Sequence, residues 1–472
     1  MDAQILKNKF EAAGQGHVFK YFDKLSEGEK SALLAQLELV DLAELDELNK
    51  ELVFAEAKGA AIDFSKLEPA PYKPLPADKA SDSEWREAKR VGEEAIRAGR
   101  LAAFVVAGGQ GTRLGFNAPK GLYKVTPVKQ KSLFQVFAEK ILSASNKYGV
   151  RIPWLVMTSH INDAATRAFF GENNFFGLRK DDVIFFKQGL MPAVDRGGKI
   201  IMESKSKIAM TPDGHGGCLR GMCRSGAIDE LKKRGIDCIS YFQVDNPLVN
   251  IIDPYFVGFH IMSGSEMSSK MIPKAYELEK VGHFCTLDGK TCVVEYSDLP
   301  AEYQKLRDEN GKLRFVAGSV AIHILDFVEK LGGNNSSAKL PFHRADKKIP
   351  CIDEKGRQIK PEKPNGIKFE MFVFDALPMA NSPVIIEGFR GDEFSPVKNA
   401  EGLDSPLTCK NHQKQQAARW LAKVGEKLDT DAENVPLFDI EISPLFATNE
   451  EDFAENWKAL PFVPKIEDGF YL

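Results

Sequence analysis

Hydrophobic and polar positions fall into two patterns along this chain. In the first sixty residues Leu33, Leu34, Leu37, Leu39 and Val40, then Leu42, Leu45, Leu48, Leu52 and Val53, recur near a 3.6-residue period, which predicts helices. A proline-rich connector, EPAPYKPLPADKAS from Glu68 to Ser81, breaks that pattern. A further amphipathic helix is expected over about Ser83 to Ala98. The period then disappears: Leu101 to Val106, LAAFVV, carries no charge and reads as a strand buried on both faces, as in a parallel sheet. Ile152 to Thr158, Val183 to Phe186 and Ile236 to Val244 read as strands as well. Between them, Ser132 can cap a helix whose Phe134, Phe137, Ala138, Ile141 and Leu142 share one face, and residues 162 to 170 read as another helix. That alternation marks βαβ units around a mostly parallel sheet, in which ligands sit at the carboxyl ends of strands. Near the C-terminus, Pro383 to Glu387 is a short apolar piece. A helix near Gln413 to Val424 presents Ala417, Trp420, Leu421 and Val424 as a core stripe.

At the carboxyl end of LAAFVV comes AGGQGTRLGFNAPKG. Gly108, Gly109 and Gly111 offer backbone N–H groups with no Cβ in the way, and Arg113 and Lys120 bring positive charge to the same loop. Together they describe a cradle for phosphates. Neither GxGxxG nor GxxxxGK[ST] fits: Leu114 stands where a third glycine belongs, and Lys120 lies between Pro119 and Gly121. A dinucleotide cofactor and a P-loop NTPase are therefore both unsupported.

Composition narrows the ligand. The 472 residues are 43% hydrophobic and 28% charged, with a formal net charge of −4. No general basic field exists to gather nucleic acid or an anionic membrane, so an anionic ligand must be met by local cations. The N-terminal stretch is too polar for a signal peptide, and no apolar run approaches the ~18 residues of a membrane span. Seven cysteines without a CxxC fit a reducing, cytoplasmic setting, with Cys218 and Cys223 as ordinary thiols. Leu331 to Lys339, LGGNNSSAK, reads as a flexible polar loop.

Two other constellations stand at strand ends. IDCISYFQV is followed by Asp245-Asn246-Pro247, either a carboxylate placed to hold Mg²⁺ against phosphates or an Asx turn before proline. AMTPDGHGG, from Ala209 to Gly217, is either a tight loop able to clasp a base or ribose or a surface turn, with His215 as its polar handle.

VAGGQGTRLG, PKG, FFKQG, PDGHGG, VDN, VEYS, KPNGIK with FVFD, and EFSPVKNA occur in that order between Leu101 and Ala400, and EISPL follows at Glu441 to Leu445. This succession resembles the eukaryotic-type UDP-N-acetylhexosamine pyrophosphorylases, within the wider UDP-sugar pyrophosphorylase family. The resemblance implies an α/β fold: a Rossmann-like, GT-A-like nucleotidyltransferase mixed sheet over residues 96–385, an N-terminal helical segment over 1–95, and a small β-rich C-terminal domain over 386–472.

Position by position, it implies that backbone at Ala107, Gly108 and Gly109 meets uracil and ribose, with Arg113 and Lys120 facing the triphosphate. Gln188 and Gly214 match uridine contacts, and Asp245 matches the residue near metal and nucleotide, the metal being Mg²⁺ or Mn²⁺. Glu295 occupies a sugar-contacting position, and Lys368 and Lys398 match phosphate-holding lysines. His215 stands where the N-acetylglucosamine enzymes carry Asn, and Ser319 closes a VAGS block that reads NAGN in them. A serine offers one hydroxyl instead of an amide fork, so the sugar pocket differs.

The implied substrates are UTP and a hexose 1-phosphate, with no nucleic acid or membrane partner. The product is a UDP-N-acetylhexosamine, UDP-N-acetylglucosamine first, or, in the close variant, UDP-glucose or UDP-galactose. A sugar phosphate is already largely dianionic at neutral pH, its second pKa lying near ~6, and needs no base to attack. Because no nucleophile–base pair sits in these blocks, the expected route is direct, reversible displacement without a covalent enzyme intermediate. The alternative of another class is a non-catalytic nucleotide-sugar sensor, which has no need of the pyrophosphate-facing Arg113 and Lys120.

Overall fold

The computed structural model describes residues 2–55, 62–326, 328–333 and 339–472. Most of the polar loop expected over 331–339 therefore lies outside the described residues. The chain forms two compact units, one of Met1–Phe64, Gln188–Arg220 and Ala338–Asp375, the other of Ser65–Lys187, Gly221–Ser337 and Ala376–Leu472.

The larger unit is built on a mixed sheet whose principal strands are β1 (Leu101–Val106), β2 (Trp154–Thr158), β3 (Val183–Lys187), β4 (Cys238–Gln243), β5 (Met267–Pro273), β6 (Gly282–Leu287), β7 (Lys290–Val294), β8 (Ala317–Leu325) and β9 (Val384–Glu387). Their order is β6-β8-β4-β1-β2-β3, with β5 joining β8 to β9 and β7 flanking β6. Strands β4, β1, β2 and β3 run parallel, and β8 is antiparallel to β4. The α/β class is thus the one the apolar runs predict, and the mixed sheet is the one the family resemblance implies; the strands beyond β4 pair largely antiparallel, so the sheet is less parallel than the runs alone suggest.

The helix Leu133–Tyr148 joins β1 to β2, and Asp163–Glu172 joins β2 to β3, each a parallel crossover. Ser132 caps the first as expected, accepting from Gln135 N. Its Phe134 meets Trp154 with ring centroids 6.2 Å apart and Phe170 at 5.0 Å, while Phe137 meets Phe242 at 5.0 Å. Edge-to-face pairs of this kind contribute about 0.5–1.5 kcal/mol each beyond their buried area. The helix is thereby fixed over β1, directly behind the glycine loop.

The C-terminal stretch corrects an expectation. Instead of being β-rich it carries the helices Pro406–Lys423 and Glu450–Lys458, and its paired strands among the described residues are the two-residue Ile440–Glu441 and Phe470–Tyr471. Ala417, Trp420 and Leu421, three and four residues apart, form one buried stripe, and Phe453 and Trp457 form another. The two stripes share a small core with Ile440 and Phe470, a periodicity that only helices satisfy.

In the smaller unit the helices Ala3–Ala12, Glu27–Leu37 and Leu42–Leu48 are capped by Asp2, by a Ser26/Glu29 capping box and by Asp41. Leu6, Phe10, Leu33, Leu37, Leu45 and Leu48 pack with Val194, Ile200, Ile208, Ile367 and Phe369, so distant stretches of chain share one core. Leu39, counted in the sequence stripe, is exposed. Among the described residues no helix is long and apolar enough to cross a membrane.

Candidate active site

The glycine loop starts where β1 ends. Ala107 N donates to Met157 O at 2.8 Å, after which the backbone folds on itself: Gly111 N donates to Ala118 O at 2.9 Å and Lys120 N to Gly109 O at 3.1 Å. The N–H groups of Gly108 and Gly109 find no acceptor among the described residues, and a Cβ at Gly109 would meet nothing within 4 Å. Two such amide donors thus stand side by side at a strand's carboxyl end, with open space beside Gly109, the arrangement an anion-binding loop needs.

The fully buried Asn162 braces the loop from the other side, donating from Nδ2 to Ala107 O at 2.9 Å and accepting at Oδ1 from Ser159 N at 2.7 Å. The glycine of Pro-Lys-Gly has a packing cause: a Cβ at Gly121 would lie 2.0 Å from the Phe134 ring. Lys120 is therefore placed by a backbone seated directly on the Leu133–Tyr148 helix.

Lys120 Nζ lies 3.8 Å from Asp245 Oδ2, with the two side chains 15% and 20% exposed. Asp245 follows β4, the parallel neighbour of β1, and its carbonyl accepts from Val397 N at 2.8 Å, which brings Lys398 alongside. Lys398 Nζ is 3.7 Å from Asp404 Oδ2 and 5.4 Å above the Phe394 ring. Arg113 is exposed on the short turn Thr112–Leu114 and makes no ion pair among the described residues. Nor do those residues contain a cluster of three or more His, Cys, Asp or Glu able to hold a metal. A cation held at Asp245 would take the rest of its shell from water, backbone or ligand oxygens, as Mg²⁺ beside phosphates commonly does.

Glu295 and Ser319 meet about Gly282. Gly282 opens β6 opposite Ser319 on β8, and Glu295 directly follows β7. A Cβ built at Gly282 would lie 3.1 Å from Glu295 Oε1 and 3.6 Å from Ser319 Cβ. His323 of β8 pairs with Tyr241 of β4, and each antiparallel step toward Ser319 advances toward the carboxyl end of β4, where Asp245 sits.

The smaller unit gathers a second group. Gln188 Nε2 donates to Gly214 O at 2.7 Å. Gly214 has φ +82°, and a Cβ there would lie 2.3 Å from Met371 O, so only glycine fits the turn. Met371 directly follows the strand Gly366–Glu370, which carries Lys368 opposite Ala345. Asp213, Gly216 and Gly217 are buried, which removes the surface-turn reading of this loop.

His215 lies in an aromatic group, its ring 5.4 Å from Phe372 and 5.8 Å from Phe374, with His343 stacked on Phe372 at 4.7 Å. Its Nδ1 accepts from Val373 N at 3.2 Å. Burial, and then the neighbouring His343, pulls the His215 pKa down to about 4. At neutral pH it is an uncharged polar group with its proton on Nε2.

Several residues escape a reading of the sequence. Asn162 looks like an ordinary helix-preceding Asn, and Asn246 like part of a turn. Lys270 is a single charge in a strand, yet it is 1% exposed and bonded to Asp253 at 2.6 Å and to Glu393. Lys140 is buried in the Leu133–Tyr148 helix and donates to the carbonyls of Pro247, Leu248 and Val249 at 2.7, 3.0 and 2.8 Å, holding the segment just beyond Asp245. The single charge of Lys270 in an otherwise uncharged strand was the available signal, since buried lysines occur almost only with partners; Lys140, beside Glu139, gave none.

Residues 45–431 match the UTP–glucose-1-phosphate uridylyltransferase family. The chain is 38% identical over 440 residues to the human UDP-N-acetylhexosamine pyrophosphorylase-like protein 1, covering 90% of this chain and 86% of that one. It is 36% identical over 439 residues to the UDP-N-acetylglucosamine pyrophosphorylase of Saccharomyces cerevisiae, covering 89% and 91%. Its fold is similar to the crystal structure of the uridine diphosphate N-acetylglucosamine pyrophosphorylase from Trypanosoma brucei, with a TM-score of 0.81, 28% identity, and 97% and 95% of the two chains covered. With an amide-lined loop and a lysine–carboxylate cluster at the carboxyl ends of β1 and β4, the chain belongs to the UDP-N-acetylhexosamine pyrophosphorylases, a branch of the UTP–glucose-1-phosphate uridylyltransferase family of nucleotidyltransferases.

Proposed function

We propose that this protein joins UTP to an N-acetylhexosamine 1-phosphate, with N-acetylglucosamine 1-phosphate as the principal substrate, and releases pyrophosphate. The observation that carries this reading is the grouping of Lys120, Asp245 and the Lys398 segment beside the free amides of Gly108 and Gly109. The reaction brings two anions together and expels a third, so its barrier is lowered by charge neutralisation and alignment; the protein need not supply a nucleophile. In this reading Arg113 and Lys120 face the triphosphate and stabilise the departing pyrophosphate, and Lys398 and Lys368 hold phosphate oxygens. Backbone at Ala107, Gly108 and Gly109 of the larger unit receives the uridine, and in the smaller unit Gln188 and Gly214 match the family's uridine contacts. Glu295 and Ser319 contact the hexose.

Asp245 suits Mg²⁺ or Mn²⁺, because a single carboxylate plus phosphate oxygens is an ordinary donor set for such a hard cation. A cation held there supplies further neutralisation of phosphate charge. His215, neutral at working pH, serves as a hydrogen-bonding group and takes no part in charge neutralisation.

Ser319 favours a second reading in the same class, with glucose or galactose 1-phosphate as substrate, because its hydroxyl replaces an amide in the sugar-contacting block. The test is pyrophosphate release from UTP and MgCl₂ with the 1-phosphates of N-acetylglucosamine, N-acetylgalactosamine, glucose and galactose. Release with the N-acetyl sugars, at a kcat/KM at least about tenfold above the plain hexoses, is expected; a tenfold preference corresponds to about 1.4 kcal/mol. Preference for glucose or galactose would move the substrate, and release with none of the four would leave the sensor reading.

A further inference from the structure

Asp245 and Lys398 belong to two segments about 150 residues apart in the chain, and one side chain supplies two of the hydrogen bonds that join them. Asn246 is 3% exposed. Its Nδ2 donates to Glu393 O at 2.7 Å and its Oδ1 accepts from Ser395 N at 2.9 Å, so one amide pairs with a donor and an acceptor two residues apart, as a neighbouring strand would. Two residues further on, Val397 N donates to Asp245 O at 2.8 Å. Three hydrogen bonds therefore zip residues 393–397 to residues 245–246, and the last of them stands immediately before Lys398.

The far end of this zipper is anchored by charge. Glu393 bonds Lys270 through Oε1 and accepts from Asn250 N at Oε2 at 3.2 Å, and Lys270 also bonds Asp253 at 2.6 Å. Ser395 Oγ shares a hydrogen with His412 Nδ1 at 2.8 Å. The Asn amide presents its donor and its acceptor as a fork of two separate atoms one methylene from the backbone, where a serine or threonine hydroxyl would put both on a single oxygen.

We infer that Asn246 is a positioning residue for uridylyl transfer: it sets the register between the Asp245 turn and the Lys398 segment, and so fixes where carboxylate and lysine stand relative to one another. This inference rests on the reading of Asp245 and Lys398 as site residues given above. Misplacement by about 1 Å of groups that must align with a reacting phosphorus costs up to about a hundredfold in rate. Asn246, buried and committed to these two bonds, acts through the segments it joins.

The test compares Asn246→Ala, Asn246→Asp and Asp245→Asn with wild type in the full-length chain, reading kcat, the KM of each substrate, the Mg²⁺ titration midpoint and thermal melting. Asn246→Asp keeps the shape and the acceptor for Ser395 N but loses the donor to Glu393 O, so it stands in for Asn246→Ala should the latter not fold. The expected result is a fall in kcat of about 10- to 100-fold with the UTP KM within about threefold of wild type, together with a shifted Mg²⁺ midpoint. A lower melting temperature with wild-type kcat and Mg²⁺ midpoint would overturn the inference and leave a merely structural Asn. If Asp245→Asn itself leaves kcat and metal response unchanged, the reading of the site fails first and carries the inference with it. If Asp245→Asn is impaired while both Asn246 variants turn over normally, the site stands and the positioning role does not.

Discussion

Lys120→Ala is expected to lower kcat by about a hundredfold or more while leaving the fold intact, because removal of one preorganised charge-stabilising donor commonly costs that much. Lys120 is the cation that the glycine hairpin and the Gly121–Phe134 contact deliver to Asp245, at 3.8 Å and with its side chain only 15% exposed. Mostly shielded from water, its charge would act on phosphate oxygens bound there more strongly than a surface lysine's could. Alanine removes the ammonium but keeps the backbone bonds of Lys120 N to Gly109 O and of Tyr123 N to Lys120 O, so melting should change little. If the charge acts mainly on the departing pyrophosphate, kcat falls more than the KM of UTP rises. Turnover within a few fold of wild type would remove Lys120 from the chemistry.

The second large effect is on stability. Lys270→Met is expected to destabilise the larger unit by about 3–5 kcal/mol, the usual cost of removing one partner from a buried ionic group. Burial pulls the Lys270 pKa down, but the charges of Asp253 and Glu393 more than reverse this and hold it above the ordinary lysine range. Burial pushes Glu393 the other way, up, and Asp253 is held below its usual value by Lys270 and Lys79 in spite of burial. Methionine fills similar space yet leaves two buried carboxylates without their shared cation. Chemical denaturation followed by tryptophan fluorescence measures the loss. The double variant Lys270→Met with Glu393→Gln should recover part of it, since one stranded charge is then gone. An unchanged denaturation midpoint for Lys270→Met would show that the trio contributes nothing net.

The parts of the molecule legible in the sequence are those whose signal is local. Strands β1, β2 and β4 are buried on both faces, so they appear as uncharged, largely apolar runs, and the capped helix Leu133–Tyr148 announces itself by Ser132 and by Phe134, Phe137, Ala138 and Ile141 at three- and four-residue spacing. The glycine loop is equally local, because bare amides, one arginine and one lysine fall within a few residues. What could not be read depends on partners far along the chain. Asn246 acquires meaning only against Glu393 and Ser395, and Lys270 only against Asp253 and Glu393. The neutral state of His215 follows from burial and from the neighbouring His343, neither of which its glycine-rich neighbours reveal. The C-terminal stretch misled because the implied β-rich domain outweighed its own pattern: Ala417, Trp420 and Leu421 already had helical spacing.

In the proposed reaction the uridylyl group passes directly from pyrophosphate to sugar phosphate in a field of fixed charge, without residing on the protein. The most direct measurement uses UTP carrying a single sulfur of known configuration on its α-phosphorus, with N-acetylglucosamine 1-phosphate, MgCl₂ and the wild-type chain, and determines the configuration at phosphorus in the UDP-sugar product. One in-line displacement inverts that centre, and inversion is the predicted result. Retention would mean two displacements through a covalent uridylyl-enzyme, and would contradict the account.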